Sequence, residues 1–388
     1  MVLVNGTFRN DIIGLDTILK STNLDDVIFG SGGDDSIFAG AGKDFVSGGS
    51  NNDTIYGADD DDQLFGNSDN DFLDGGNGND YLDGGSDKDT IYGRGGDDRI
   101  NGGFSSDLLF GGLGNDQLLG SGGDDTMIGE QGDDTLVGGF GNELLDGGLG
   151  KDNLNAGGGN DRILGDGVFS PGLVGDNDTI LGSDGDDTIY GGFINTSGFS
   201  GNDNLDAGNG NDLIIGWDGN DTMAGGGGND NLDAGIGNDT VTGGSGNDNM
   251  IGHLGDDTLT GVNSASTLPG AFEIDTYRGD VSGVPLALRG KDTFVLGDAN
   301  NVYYKSAGNS DFALIIDFQN SLDKIQLKGN AADYTLSLTA TPGAPVGTLD
   351  TRIFLGTTTE LIGIVSGVGT AGGAPILSLA NSTQFVYI

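Results

Sequence analysis

The sequence predicts an all-β protein: a right-handed parallel β-roll with two nonapeptide repeats per coil, followed by a C-terminal β-rich capping domain. Three observations predict it. An acidic residue recurs at every ninth position through most of the 388 residues. An aliphatic residue or Met stands two places after each of these acids. The positions between are rich in glycine, of which the chain has 79.

Composition narrows the choice before any spacing is read. Asp and Glu number 60 against 15 Lys and Arg, a formal charge of −45, and only 35% of residues are hydrophobic. Such a chain is disordered unless a bound counter-ion neutralises its carboxylates. Spacing decides, because disorder needs no period and a metal lattice does. The acidity argues against nucleic acid, whose phosphates it would repel. No apolar run approaches the ~20 residues of a membrane helix. The start, Met1-Val-Leu-Val-Asn-Gly, has neither the basic beginning nor the apolar stretch of a cleaved signal peptide. With no Cys, disulfides and thiolate metal sites are excluded.

Residues 1–25 read as a degenerate first coil and N-terminal cap. The phrase Asn10-Asp11-Ile12-Ile13-Gly14 repeats the Asp-x-aliphatic pattern, and such a segment would cover the open sheet end.

Residues 26–261 read as the roll. Its acids are Asp26, Asp35, Asp44, Asp53, Asp62, Asp71, Asp80, Asp89, Asp98, Asp107, Asp116, Asp125, Asp134, Glu143, Asp152 and Asp161, without a slip. The register returns at Asp178 and Asp187, then runs from Asp203 through Asp212, Asp221, Asp230, Asp239, Asp248 and Asp257. Two residues before the acid, 18 of the 25 positions are Gly. Among the exceptions, Asn51, Asp60, Asp69 and Asp87 are types that tolerate the left-handed backbone of a tight turn. The unit therefore reads as a turn of six residues and a strand of three, with the central aliphatic side chain inward. Two units close a coil, so the aliphatics of two sheets meet. One such strand cannot bury its side chain alone, which makes stacking obligatory. Stacking also brings Asp carboxylates and glycine carbonyls together along each edge, and a ring of hard oxygens suits Ca²⁺.

Two insertions interrupt the period, near residues 166–175 and 193–200. Asp161 and Asp178 lie 17 residues apart, and Asp187 and Asp203 lie 16 apart. Two repeats separate the insertions, so both leave the same edge one coil apart. Their apolar residues, among them Phe169, Leu173, Phe193 and Phe199, make them an expected contact surface.

The repeats resemble the RTX (repeats-in-toxin) family, whose pattern G-G-x-G-x-D-x-U-x is a Ca²⁺-binding β-helix repeat. The unit Gly75-Gly76-Asn77-Gly78-Asn79-Asp80-Tyr81-Leu82-Asp83 shows the likeness, which covers roughly residues 20–261. It implies that each Ca²⁺ bridges turns n and n+2, taking a carboxylate from each and backbone carbonyls between. The 24 aspartates of the series are then the metal ligands, and Glu143 departs from the pattern. Twenty-five units allow at most 23 such sites, and about twenty ions would set about +40 against the −45. Without the ions the stacked carboxylates repel and the coil should open.

Residues 262–388 read as a separate C-terminal β domain of short apolar runs divided by Gly, Asn and Pro. Gly290-Lys-Asp-Thr-Phe-Val-Leu296, Ile315-Ile-Asp-Phe318 and Asp323-Lys-Ile-Gln-Leu327 look like the C-terminal region of secreted RTX proteins. That resemblance implies a cap on the roll, an uncleaved type I secretion signal and the type I secretion machinery as a partner.

Catalytic constellations are thin. The only His, His253, lies in a repeat turn and reads as a solvated turn residue. Neither a Ser-His-Asp triad nor an H-E-x-x-H zinc site can be built elsewhere. Glu273, Asp275 and Glu360 offer no recognisable glycosidase spacing. The outward strand positions say more. One sheet presents Phe38, Tyr56, Phe72, Tyr92, Leu108, Phe110, Ile128, Leu144 and Leu164; the other begins Phe29, Phe45, Phe65 and Tyr81 and then becomes polar. Such an apolar ladder exceeds what a solitary soluble protein normally exposes. The expectation is therefore a secreted, non-enzymatic structural protein at or outside the cell surface, a homo-oligomer or polymer forming a surface layer, sheath or filament. The alternative is a calcium-dependent adhesin or ligand-binding module. An ice-binding roll would want a regular Thr array, and the variable turn positions Asn77, Ser86, Gly95, Phe104 and Leu113 have none.

Overall fold

The computed structural model describes residues 3–5, 12–13, 24–166, 176–192, 201–262, 273–279, 290–296, 312–316, 318, 323–328, 334–340, 348–355, 360–370 and 384–388. It divides into two compact units, Met1–Thr188 and Ile189–Ile388. Every regular element among the described residues is a β-strand, and the units together hold about 12 parallel solenoid turns.

In the first unit a strand begins directly after each acid. Thr54–Asp59 pairs parallel with Phe72–Asn77, Ile55 facing Leu73. Gln63–Ser68 pairs with Tyr81–Ser86, Leu64 facing Leu82. Alternate repeats thus build alternate sheets, and one coil takes two repeats, as the spacing requires.

The strands are six residues long, twice the expected three. The reason lies in the two glycine positions that follow the aliphatic. Burial in Thr54–Asp59 alternates through Ile55 and Gly57, so the first glycine is a second inward position. The next residue takes a left-handed backbone: φ is 95° at Ala58, 108° at Gly76 and 83° at Arg94. That bend turns the chain toward the next half-coil while the ladder continues, Ala58 still facing Gly76. Pairing then persists where residue type alone suggests a turn.

The core is one aliphatic column per sheet. All 25 side chains from Ile28 to Leu259 are at most 3% exposed, and each contributes about 1.5–3 kcal/mol by burial. At the start of the unit, Leu3–Asn5 pairs with Val27–Gly32, and Ile12–Ile13 pairs with Ser36–Ala41 with Ile13 facing Ile37. Asn153–Gly158 pairs with Thr179–Asp184, Leu154 facing Ile180, so the register survives the first insertion. Residues 167–175 and 193–200, on which the expected contact surface depends, lie outside the described residues.

In the second unit the same pattern runs from Asn204–Asn209 to Thr258–Val262. The expected boundary at residue 261 does not end the parallel pairing. Asn249–Leu254 pairs with Ile274–Arg278, and Thr258–Val262 pairs with Thr293–Val295. Thr293–Val295 then pairs with Lys324–Leu327, which pairs with Phe385–Tyr387. Spacers of variable length hide this continuation from a nine-residue period. Tyr277 and Phe294, both fully buried, also fill the inward column where aliphatics stood. Beyond it, Thr348–Leu355 pairs antiparallel with Tyr334–Ala340 and with Glu360–Thr370.

Candidate metal centre

The acids follow the strand geometry. Each ends the turn just before a strand, where its side chain folds under the edge. All 25 are at most 6% exposed. Along the repeats the backbone N–H of an acid donates to Oδ1 of the Asp one coil further on: Asp62 to Asp80 at 2.8 Å, Asp80 to Asp98 at 2.8 Å, Asp98 to Asp116 at 2.8 Å. The same bond recurs across the first insertion, from Asp152 to Asp178 at 2.9 Å. One carboxylate oxygen is thereby fixed, and the other is aimed.

That second oxygen is unmatched. Oδ2 of Asp44, Asp53, Asp62, Asp71, Asp80, Asp89, Asp98, Asp107, Asp116, Asp125 and Asp134 is buried without a hydrogen-bond partner, as are those of Asp221, Asp230, Asp239 and Asp248. It points at the inward glycine of the preceding repeat. A Cβ at Gly75 would stand 2.4 Å from Asp80 Oδ2 and 3.0 Å from the Gly93 carbonyl oxygen. At Gly57 it would stand 2.4 Å from Asp62 Oδ2 and 2.5 Å from the Gly75 carbonyl oxygen. Glycine leaves open a space on which a carboxylate oxygen and a backbone carbonyl oxygen converge, with no donor between them. Ala39, Ala156, Ala207 and Ala234 occupy this position in four repeats.

Burying an unpaired carboxylate is costly, and such a group gains a proton or a cation. Burial pushes Asp62, Asp71 and Asp98 up to about 8, against the lowering effect of the backbone hydrogen bond. The carboxylates above and below add to the rise. Asp89, Asp107, Asp134 and Asp152 reach about 7 for the same leading reason. A hard divalent cation would replace those protons with a charge that several oxygens share. The donor set, carboxylate and carbonyl oxygen alone, fits Ca²⁺.

Glu143 differs in geometry as well as in type. A Cβ at Gly138 would meet Glu143 Cγ at 2.8 Å, where the equivalent Gly129 would meet Asp134 Oδ2 at 2.3 Å. The longer side chain puts a methylene where the others put an oxygen. Its carboxyl is displaced toward Gly141 and is raised by burial and by its hydrogen bond with Asp161.

The structure adds three acids that the nine-residue period missed. Asp275, Asp292 and Asp323 are at most 1% exposed. Their Oδ1 atoms accept from the backbone N–H of Asp248 at 3.0 Å, Asp257 at 3.2 Å and Asp292 at 3.1 Å. The signal that finds them is the phrase Asp-x-apolar taken without a fixed spacing: Asp275-Thr-Tyr277, Asp292-Thr-Phe294, Asp323-Lys-Ile325. His253 is partnered rather than merely solvated. Its Nε2 lies 2.8 Å from Asp233 Oδ1, which raises its pKa, and its φ is 73°.

Stacked half-coils that close oxygen cradles over buried carboxylates define a calcium-type β-roll. The description "RTX calcium-binding nonapeptide repeat" matches residues 21–55, 56–91, 74–109, 83–118, 103–136, 119–154, 137–167, 174–193, 197–232 and 225–259. These segments span more than half of the chain. The chain belongs to the RTX calcium-binding nonapeptide repeat family, and repeats of this family bind calcium. No curated protein matches it. Among the described residues, no helix is long and apolar enough to cross a membrane.

Proposed function

We propose that this chain is a secreted structural protein that folds on external Ca²⁺ and self-assembles into a surface layer, sheath or filament. The ions would be held by the 24 aspartates from Asp26 to Asp257, about twenty ions in all, with glycine carbonyls completing each shell. Bound Ca²⁺ supplies charge neutralisation. The chain supplies the carboxylates, fixes one oxygen of each by a backbone hydrogen bond and leaves the glycine space open. Residues 1–25 would cap the roll, and residues 262–388 would carry an uncleaved type I export signal. Low cytosolic Ca²⁺ would keep the chain unfolded during export.

The observation that supports assembly is a pair of outer aromatic ladders on the first unit. Phe38, Tyr56, Phe72, Tyr92 and Phe110 stack at centroid distances of 4.6–5.7 Å. Phe29, Phe45, Phe65 and Tyr81 stack at 5.3–5.9 Å. The rings, two pairs stacked and the rest tilted, touch one another along each sheet as an apolar stripe, a surface that favours lateral packing against another copy. Turn residues Phe104 and Phe140 stand 74% and 81% exposed. Electron microscopy with and without Ca²⁺ tests this: ordered filaments or sheets are expected with Ca²⁺, and their loss in a Tyr56→Ser/Tyr92→Ser variant. Monomers at high concentration in Ca²⁺ would refute it.

One observation favours the adhesin reading. A groove of about 1080 Å³ in the first unit is lined by Phe45, Gln63, Tyr81, Arg99, Asn115 and Gln117, among others. Asp44, Asp61, Asp62, Asp80, Asp97 and Asp98 also line it, and rings and amides beside carboxylates suit a polar, uncharged chain such as a glycan. Glycan binding by Ca²⁺-loaded monomers would favour that reading over assembly.

A further inference from the structure

Two carboxylates of the first unit, half-buried Asp146 and fully buried Asp166, stand outside the repeat lattice. Asp146 lies three places after Glu143, and Asp166 lies five places after Asp161, just before the first insertion. Leu144–Leu149 pairs parallel with Arg162–Asp166, which sets Asp146 beside Leu164 and Gly148 beside Asp166. Residues two apart in a strand share a face. Asp146, Leu164 and Asp166 therefore occupy one outer face of strands about 4.8 Å apart.

That face is unlike the rest of the outer surface. Leu119, at the same repeat position as Asp146 and Leu164, is 41% exposed, whereas Leu164 is 7% and Asp166 only 1% exposed. Asp166 Oδ1 accepts a hydrogen bond from the Asp176 backbone N–H at 3.3 Å. Its Oδ2 is buried with no partner, and so is Oδ1 of Asp146. The unmatched oxygen of a repeat acid faces a glycine cradle, but these two carboxylates stand outside that lattice.

We propose that Asp146 and Asp166 hold a divalent cation, Ca²⁺ in this setting, at a site separate from the repeat lattice. Both donors are hard oxygens on one face, and such pairs are held apart by repulsion unless a cation lies between them. No third His, Cys, Asp or Glu converges there among the described residues. Carbonyl oxygens and water would complete the shell, as carbonyls do in the repeat cradles. The position gives the site a task. Asp166 precedes the insertion, and Asp176, bonded to it, follows, so an ion on Asp166 clamps the root of the insertion to the neighbouring strand through Asp146.

Native mass spectrometry of the Ca²⁺-loaded full chain tests the site. Asp146→Asn and Asp166→Asn should each carry one ion fewer than the parent, with unchanged circular dichroism. Terbium luminescence provides a second readout and should fall by one equivalent. An unchanged ion count in either folded variant would overturn the proposal. If Asp166→Asn does not fold, Asp146→Asn, whose side chain is only partly buried, decides alone. Asp80→Asn is the comparison that keeps the two readings apart: it removes a repeat ligand, and its effect is independent of whether the Asp146–Asp166 site exists.

Discussion

Leu82 offers the sharpest test of how the roll is built. Its side chain is fully buried, between Leu64 one coil before and Ile100 one coil after. Truncation to Ala in a closed core costs about 2–5 kcal/mol. Leu119 is the control, because it has the same chemistry on the outer face and is 41% exposed; truncation there should stay within about 0.5 kcal/mol. The assay is the Ca²⁺ concentration at the midpoint of folding, followed by circular dichroism. Spread over about twenty ions binding in one cooperative step, 2–5 kcal/mol moves the midpoint only about 1.2- to 1.5-fold. If folding proceeds one coil at a time, with about two ions per step, the same loss moves it about 5- to 70-fold. The size of the shift thus measures the cooperative unit. A Leu82→Ala variant no more sensitive than Leu119→Ala would refute the assignment of inward and outward positions.

Three further outcomes follow. In chelator, lowering the pH should restore β structure without metal. The buried aspartates have folded pKa values raised to about 6 at Asp44 and about 8 at Asp98 against an ordinary 3.8. Their contribution to stability is full below about pH 4 and is lost as pH rises through 6–8; circular dichroism that stays disordered at pH 3.5 would contradict this. Gly76→Ala should lower the melting temperature measurably but not unfold the roll: φ there is 108° and a Cβ would lie 2.1 Å from the Ala58 carbonyl oxygen, yet Ala58 and Arg94 carry side chains at the same position one coil before and after. Gly95→Ala, whose nearest neighbours lie at 3.9 Å, should leave the melting temperature within a few degrees, so equal effects would be a failure. Glu143→Asp should raise the melting temperature in Ca²⁺ by restoring an oxygen where a methylene now stands, and calorimetry that shows no rise would count against the cradle.

Much of this was legible in the sequence because one residue type does one job at one interval. Leu82 is recognisable as core from its spacing alone, and the column it predicts is the column observed; the same spacing sets Asp80 one coil before Asp98, to which its backbone is bonded. What the interval could not convey was the part played by backbone. Gly75 and Gly76 read as turn residues, yet the first faces the core and the second bends a strand that goes on pairing. Glycine has no side chain to reveal which way it points. The sequence likewise set Asp292 in a new domain, because its partner Asp257 lies 35 residues back. A backbone hydrogen bond depends on the partner's position in space and is indifferent to the length of chain looped out between. The same indifference lets Asp152 and Asp178 keep their bond across the first insertion.

Glu143 shows where a family pattern gives the least warning. Acid for acid, the substitution conserves charge, and the repeat continues in phase on both sides of it. The cradle, however, is defined by reach. One oxygen must accept from the backbone and the other must arrive at the glycine space, and a side chain one methylene longer carries Cγ to within 2.8 Å of the place a Cβ at Gly138 would take. A lattice built on identical half-sites therefore has one position where the charge is right and the distance is wrong. It falls three places before Asp146, next to the face that also holds Asp166. If a cation at Asp146 and Asp166 offsets the weakened cradle, then Glu143→Asp combined with Asp166→Asn should behave non-additively, the first variant masking part of the second. Additive melting temperatures across that double-mutant cycle would show that the two features are neighbours without being coupled.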